Sequence, residues 1–155
     1  MDAVRHTRLK RLTRLFVNQP LYFITTCVND RKSVLVSDSV ERILVDEWER
    51  ALARHDWAIG RYVIMPDHVH FFCRSAHSAI SLSRFIGNWK QWTSKRIIQL
   101  LDIETPFWQE GFFDHVLRSE ESYGKKWQYV MNNPVRAKLV PNAEEWKYQG
   151  CVDFL

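Results

Sequence analysis

The chain has 155 residues, of which 46% are hydrophobic, and it contains seven Trp and nine Phe. This composition excludes a disordered chain and allows one domain with a sizeable core. Its 22 Lys and Arg exceed its 18 Asp and Glu only mildly, so an acidic partner such as nucleic acid is compatible but not required. The three cysteines form no CxxC pair and no apolar run approaches membrane-spanning length. We therefore expect a soluble cytoplasmic protein with reduced thiols and no membrane partner.

Two segments are predicted at the start of the chain. Residues 1–19 should form a basic N-terminal arm, with five Lys and Arg between positions 5 and 14. Such an arm is either simply solvated or able to contact phosphates. The rest of the chain, residues 20–155, is predicted to be a single domain. It opens with the aromatic and β-branched run 21–28, which predicts a buried strand.

A helix and a hairpin follow in sequence. Asp38 with Glu41 three residues later is typical of a helix start, and apolar residues then repeat at helical spacing through Leu52. Two apolar runs, residues 57–65 and 68–74, flank the corner Pro66-Asp67 and predict a hairpin of two strands. We expect Asp67 to be the turn residue of this hairpin, pointing away from its corner, rather than a metal ligand.

The second hairpin strand opens with His-Val-His. Residues two apart on a strand point to the same face, so His68 and His70 should present two imidazoles side by side. They could be two ligands of one metal ion, or two histidines on a partly exposed sheet face. The pattern alone favours the second interpretation.

The remaining elements complete the predicted fold. Residues 78–101 predict a helix whose basic residues beside Trp92 are either solvated or suited to stacking single-stranded nucleic acid. Residues 112–118 predict a strand, and Ser119 starts a last helix that Pro134 should stop or kink. This order of elements predicts an α+β, ferredoxin-like (RRM-like) fold. It is an antiparallel sheet with helices packed on it and His-x-His on a central strand.

One tyrosine of the last helix lies off its apolar stripe. Tyr129 falls roughly 140–150° from the centre of that stripe, and Asn133 is about 40° further round. Lys126 shares the side of Tyr129, although Pro134 leaves the backbone of Asn133 less certain to be helical. Half-exposed tyrosines are common, so this pattern alone is only a candidate site. The stripe itself consists of Tyr123, Trp127, Val130 and Met131.

Together these segments resemble a known family. The His-Val-His strand and the downstream run 127–140 are similar to the HUH-type tyrosine transposases, and most of all to their REP-associated branch. Supporting segments are residues 22–25, 65–70, 108–109 and 113–118, so the resemblance spans about residues 20–140. Lys138 departs from the family, which more often has glycine there, but it lies outside the proposed chemistry.

The resemblance implies an activity and a set of site residues. The activity is metal-dependent cutting and rejoining of single-stranded DNA near hairpin (REP-like) elements, through a 5′-phosphotyrosine intermediate. Tyr129 matches the nucleophile. His68, His70 and Asn133 match the ligands of a divalent metal, Mg²⁺ or Mn²⁺ in use.

Three further residues match positions that could contact DNA. His115 could bind phosphate or be a hydrogen-bonded structural histidine, and Lys126 could meet phosphate or be solvated. Arg136 could hold phosphate or a helix C-terminus. The implied partner is single-stranded or hairpin DNA. The protein could bind it as a monomer or as a homodimer. A catalytically inactive hairpin DNA- or RNA-binding module of the same fold is the alternative.

Overall fold

A computed structural model describes residues 19–155, so nearly all of the predicted basic arm, residues 1–18, lies outside the described residues. The strands are β1 (Leu21–Cys27), β2 (Trp57–Ile64), β3 (His68–Ser75), β4 (Phe113–Leu117) and β5 (Gln149–Cys151). The helices are α1 (Asp38–His55), α2 (Leu82–Leu101), α3 (Glu120–Met131) and the short α4 (Asn133–Arg136). No helix within residues 19–155 is long and apolar enough to cross a membrane.

The five strands form one antiparallel sheet in the order β4-β1-β3-β2-β5. The first four strands have the ferredoxin-like order, so the predicted α+β class is confirmed, and β3 is the central strand. The fifth strand, β5, was not predicted from the sequence, and the C-terminal tail adds it beside β2. Asp153 anchors this tail, because its carboxylate accepts a hydrogen bond of 2.8 Å from the backbone N–H of Ile59.

One face of the sheet packs against α1 and α2. Residues of β3 alternate between the two faces, and Val69, Phe71 and Cys73 belong to the core on this side. The side chain of Trp48 from α1 is fully buried there and stacks on Trp89 from α2, with ring centroids 5.2 Å apart. The apolar stripes of these two helices thus cover one face completely.

The opposite face packs against α3. Phe72 of β3 is fully buried and meets the rings of Tyr123 and Trp127 edge to face, with centroids 4.7 and 6.3 Å away. Val130, one turn further along α3, is also buried. The helix begins where predicted, since Ser119 accepts a hydrogen bond of 3.1 Å from the backbone N–H of Ser122.

The predicted effect of Pro134 is also visible. Helix α3 ends at Met131, Asn132 has φ −88° and ψ 0°, and α4 begins at Asn133. Pro134 lies in the first turn of α4, where its missing N–H would have no helical acceptor. The break separates α4 from α3 by the single residue Asn132.

Truncating Phe72 should loosen the second face selectively. We expect Phe72→Ala to lower the free energy of unfolding by about 3–5 kcal/mol, because it removes a buried ring that supports α3. Urea titration gives this value. The matched control is Phe113→Ala on β4, where the ring is 72% exposed and the change should stay within about 0.5 kcal/mol. Equal losses in the two variants would contradict this account of the core.

Candidate functional site

The two histidines of β3 lie side by side on the face covered by α3. Their ring centroids are 4.7 Å apart and the rings are nearly perpendicular, at 80°. In the register of the sheet His68 is opposite Cys27 and His70 is opposite Thr25, both on β1. The rigid central strand therefore fixes the spacing of the two imidazoles.

A carboxylate orients His68. The Nδ1 atom of His68 donates a hydrogen bond of 2.7 Å to Asp67 Oδ1, and Arg31 Nε donates one of 2.8 Å to Asp67 Oδ2. Burial raises the pKa of the Asp67 carboxyl, but these hydrogen bonds outweigh it and hold the pKa below its usual value. The expectation that Asp67 points away from the hairpin corner is thus wrong. Two charge-assisted bonds turn its side chain back towards His68.

An unusual backbone conformation presents Arg31 to this carboxylate. Asp30 and Arg31 have φ values of 58° and 52°, in the left-handed region that non-glycine residues rarely adopt. Such residues cost on the order of 1–3 kcal/mol each and persist where surrounding contacts hold them. Here Arg31 contacts Asp67 and also donates to Cys27 Sγ at 3.3 Å. The backbone N–H of Val28 bonds the carbonyl of Asp67 at 2.9 Å, which joins the two segments.

His70 is held in its neutral form. Its Nδ1 shares a hydrogen bond of 2.8 Å with Thr25 Oγ1, and its ring stacks on Phe23 at 5.2 Å. Burial lowers the pKa of His70 to about 3, with further contributions from the positive charges of His68, Lys126, Arg136 and Arg31. A neutral imidazole is the form that can bind a metal ion.

The donor set fits a divalent cation with open coordination positions. Both imidazoles have Nδ1 engaged, which leaves each Nε2 available, and a carboxylate behind a histidine is typical of metal-binding histidines. Within the described part of the chain, no group of three or more His, Cys, Asp and Glu side chains could hold a metal. A metal here would therefore need a different third donor, such as an amide oxygen.

Asn133 was predicted to supply that donor. Its Oδ1 accepts a hydrogen bond from Arg136 Nη2. An amide oxygen has two lone pairs, so this bond leaves one for a cation. The contacts of Asn133 reach Arg136 rather than either histidine, and its role as a ligand stays a prediction.

Tyr129 lies on the exposed side of α3, with 59% of its surface accessible. Arg136 Cζ lies 3.9 Å from the centroid of its ring, and Lys126 Nζ lies 5.7 Å from it. Lys126 Nζ is also 4.5 Å from the ring centroid of Phe23, which stacks on His70. The tyrosine, the two cations and the histidine pair thus form one continuous group.

Tyr123, the other tyrosine of α3, is part of the core. The Tyr123 hydroxyl is buried, and its ring packs on Phe72. Burial raises the pKa of this phenol. Tyr123 is therefore badly placed to meet a substrate, whereas Tyr129 is accessible.

Two other candidate residues, His115 and Trp92, lie on opposite sides of the sheet. His115 is exposed on β4 directly opposite Phe23, and no hydrogen bond to its side chain exists among the described residues. It is therefore free to meet a ligand on the histidine face. Trp92, 46% exposed between Arg54 and Lys95, lies on α2 in the layer on the other side of the sheet.

One residue beside the site was not anticipated. Phe113 is 72% exposed and lies opposite Thr25, the residue that bonds His70. The signal in the sequence was the pair Phe112-Phe113 at the start of a strand, because adjacent strand residues must point to opposite faces. Both rings cannot enter the same core.

Comparisons with known proteins bear on the family and the fold of the chain. Residues 16–133 match the model of a family described as "Transposase IS200 like". A candidate REP-associated tyrosine transposase of Haemophilus influenzae is 22% identical over 146 residues, covering 88% of this chain and 82% of that protein.

Two solved structures have a similar fold. One is a REP-associated tyrosine transposase bound to a REP hairpin, with a TM-score of 0.69 and 19% identity over 84% of this chain and 75% of that one. The other is a candidate transposase from Deinococcus radiodurans R1, with a TM-score of 0.57 and 19% identity. It matches 76% of this chain and 92% of that one.

Asp67→Ala should release the imidazole of His68. The carboxylate accepts from Nδ1, so the wild-type protein should show the Nδ1–H tautomer, and the variant should show a mixture of tautomers. Long-range proton–nitrogen correlation NMR on metal-free protein distinguishes these states. Asp114→Ala, which removes an exposed carboxylate of β4, serves as the control. An unchanged tautomer in Asp67→Ala would show that Asp67 does not orient the ring.

His70 should make the metal-free protein sensitive to acid. Its folded pKa of about 3 lies below its ordinary value of 6.5. Between these values the unfolded chain binds a proton that the folded chain does not, so stability is full above about pH 6.5 and is lost as the pH falls. We expect the free energy of unfolding to change with pH less steeply in His70→Gln than in the wild type, by up to about 1.4 kcal/mol per pH unit.

Urea titrations with a chelator, from about pH 7 to pH 4, measure both slopes. Parallel stability curves for the wild type and His70→Gln would contradict this assignment.

Proposed function

Because the chain belongs to the IS200-like transposase family, we propose that it is a metal-dependent endonuclease and strand transferase of single-stranded DNA. It would act near hairpin (REP-like) elements. The observation that carries this proposal is the exposed Tyr129, whose ring contacts two cations, one of which, Lys126, also lies over the Phe23 ring that stacks on His70. A nucleophile, cations for a phosphate and a site for a metal are the parts that phosphoryl transfer needs.

In the proposed reaction, Tyr129 Oη attacks the scissile phosphorus. A new phosphorus–oxygen bond to tyrosine forms while the bond from phosphorus to the 3′ oxygen breaks. The phenol loses its proton, and the departing 3′ oxygen gains one to become a hydroxyl. The product is a 5′-phosphotyrosine, whose bond energy is available for a second 3′-hydroxyl that attacks in the reverse direction. One phosphodiester is exchanged for another, so cleavage and joining need no energy cofactor.

The cations around Tyr129 suit the substrate of this step. Arg136 lies against the tyrosine ring and Lys126 bridges from that ring to Phe23. Both can hold a phosphate in line with Oη, since guanidinium and ammonium groups are the usual phosphate ligands. His115, exposed on the neighbouring strand, can bind an adjacent phosphate of the same strand.

We assign the metal site to His68 and His70, with Asn133 as the third ligand. A divalent cation bound there would polarise the scissile phosphate and offset charge in the transition state. Two imidazoles and one amide oxygen accept Mg²⁺ or Mn²⁺ while leaving positions for phosphate oxygens. Asp67 and Thr25 would keep the two Nε2 atoms directed outward.

Hairpin DNA is the substrate that we propose. The similar structure of a REP-associated tyrosine transposase was determined with a REP hairpin bound, and its fold matches this chain over 84% of its length. The open side of the histidine face is lined by basic residues and exposed rings, which suit unpaired nucleotides beside a hairpin stem.

Tyr129→Phe should abolish covalent attachment to DNA and leave binding within about twofold, because only the hydroxyl is removed. The assay incubates a labelled pool of hairpin oligonucleotides with Mg²⁺ or Mn²⁺ and separates adducts on denaturing gels. Tyr123→Phe is the matched control and should retain adducts, since it removes a hydroxyl that is buried in the core.

Two results would overturn the assignment. Adducts that persist in Tyr129→Phe and map to Tyr123 would exchange the two tyrosines. DNA binding by wild-type protein without any adduct, with either metal, would favour a binding module of the same fold that has no activity.

A further inference from the structure

We propose that Phe113 is a stacking platform for one unpaired nucleobase next to the scissile phosphate. The proposal deepens the proposed function and rests on it for the identity of the strand. It assigns a binding role to a residue of the edge strand β4, which pairs only with β1 among the described strands.

The register of the sheet places Phe113 in one row with the candidate metal site. Phe113 is opposite Thr25, and Thr25 is opposite His70, so all three side chains leave the sheet on the same face. Neighbouring strands lie about 4.8 Å apart, which puts the Phe113 position about 10 Å from that of His70. Two residues along β4, His115 is opposite Phe23 in the next row.

The exposure of Phe113 is exceptional for an aromatic residue in a strand. Its ring is 72% exposed and stacks on no other ring among the described residues, whereas its neighbour Phe112 packs against the core on the other face. The turn before β4 is also fixed. Gly111 has a φ of 76°, and Lys90 Nζ bonds the carbonyl of Gln109 at 2.8 Å and that of Gly111. An uncovered ring that follows a held turn is suited to a ligand with a flat face.

The chemistry of this face favours an unpaired base over a protein or a duplex. Bases within a duplex are already stacked on both sides, so only a single strand offers a free face to a protein ring. The same face carries Lys126 and Arg136 at Tyr129, and the exposed His115 on β4 itself. Lys126 lies over Phe23, which is opposite His115, and Phe113 is two residues away from His115 on β4, so a base of a strand bound at Lys126 and His115 could reach the Phe113 ring.

Photocrosslinking tests this placement without depending on catalysis. The probe is a hairpin oligonucleotide with single-stranded flanks that carries one 5-iododeoxyuridine, moved position by position along each flank. With Tyr129→Phe protein, we expect one probe position to crosslink to the peptide that contains Phe113. Crosslinks from every position to other peptides only would overturn the proposal.

Matched variants in the Tyr129→Phe background separate stacking from simple apolar contact. Phe113→Leu should weaken binding of the single-stranded flank roughly 5- to 150-fold, the range for loss of one base–aromatic stack. Phe113→Trp should bind like the parent, and so should Trp92→Leu, which removes an exposed aromatic residue of α2 on the other side of the sheet. Equal affinities for Phe113→Leu and Phe113→Trp would contradict the stacking role.

The failure of this inference is distinguishable from failure of the proposed function. Covalent adducts with wild-type protein, together with full binding by Phe113→Leu, would overturn the platform and leave the enzyme. Absence of adducts, together with Phe113-dependent binding and crosslinking, would support the platform in a protein that binds DNA without cutting it.

Discussion

The hydrogen-bonded position of β3 between β1 and β2 determines where the two histidines of the site can point. A strand paired on both edges can direct side chains only above or below the sheet. Phe71 and Val69 enter the core under α1 and α2, while His68, His70 and Phe72 face α3. A shift of one residue in the pairing of β3 would exchange the faces of its side chains. His68 and His70 would then be buried under α1 and α2. Packing energy on one face therefore maintains the chemistry on the other.

The positive character of the site arises because the carboxylate of Asp67 already bonds groups within the protein. Asp67 is shared between Arg31 and His68, so its charge is already neutralised within the protein. Lys126 and Arg136 keep their charges for the surroundings of Tyr129. A polyanionic strand can thus approach without meeting an unpaired carboxylate among these residues. The neutral imidazole of His70 is consistent with the same excess of positive charge.

Much of this architecture was predictable from local sequence patterns, and the rest depends on contacts between distant residues. The hairpin, the stripe of α3 and the cap at Ser119 follow from periodicity and capping chemistry over a few residues. The strand β5 could not be predicted, because Asp153 anchors its partner across 94 positions of sequence. Asp67 was misjudged because Arg31, its partner, comes from a separate turn with an unusual backbone.

The same limit applied to the exposed aromatic rings. Trp92 was a candidate from the sequence because its basic neighbours are close along the chain. However, α2 packs on the face of the sheet opposite to the histidines. Phe113 was not a candidate from the sequence, because its closeness to His70 depends on the pairing of β4 with β1 and of β1 with β3. The turn that leads to Phe113 has a similar remote dependence, through Lys90 of α2. Any chimaera that replaces residues 102–112 with the loop of a relative must therefore also match residue 90. Exchanging this loop therefore requires changes in two separate segments of the chain.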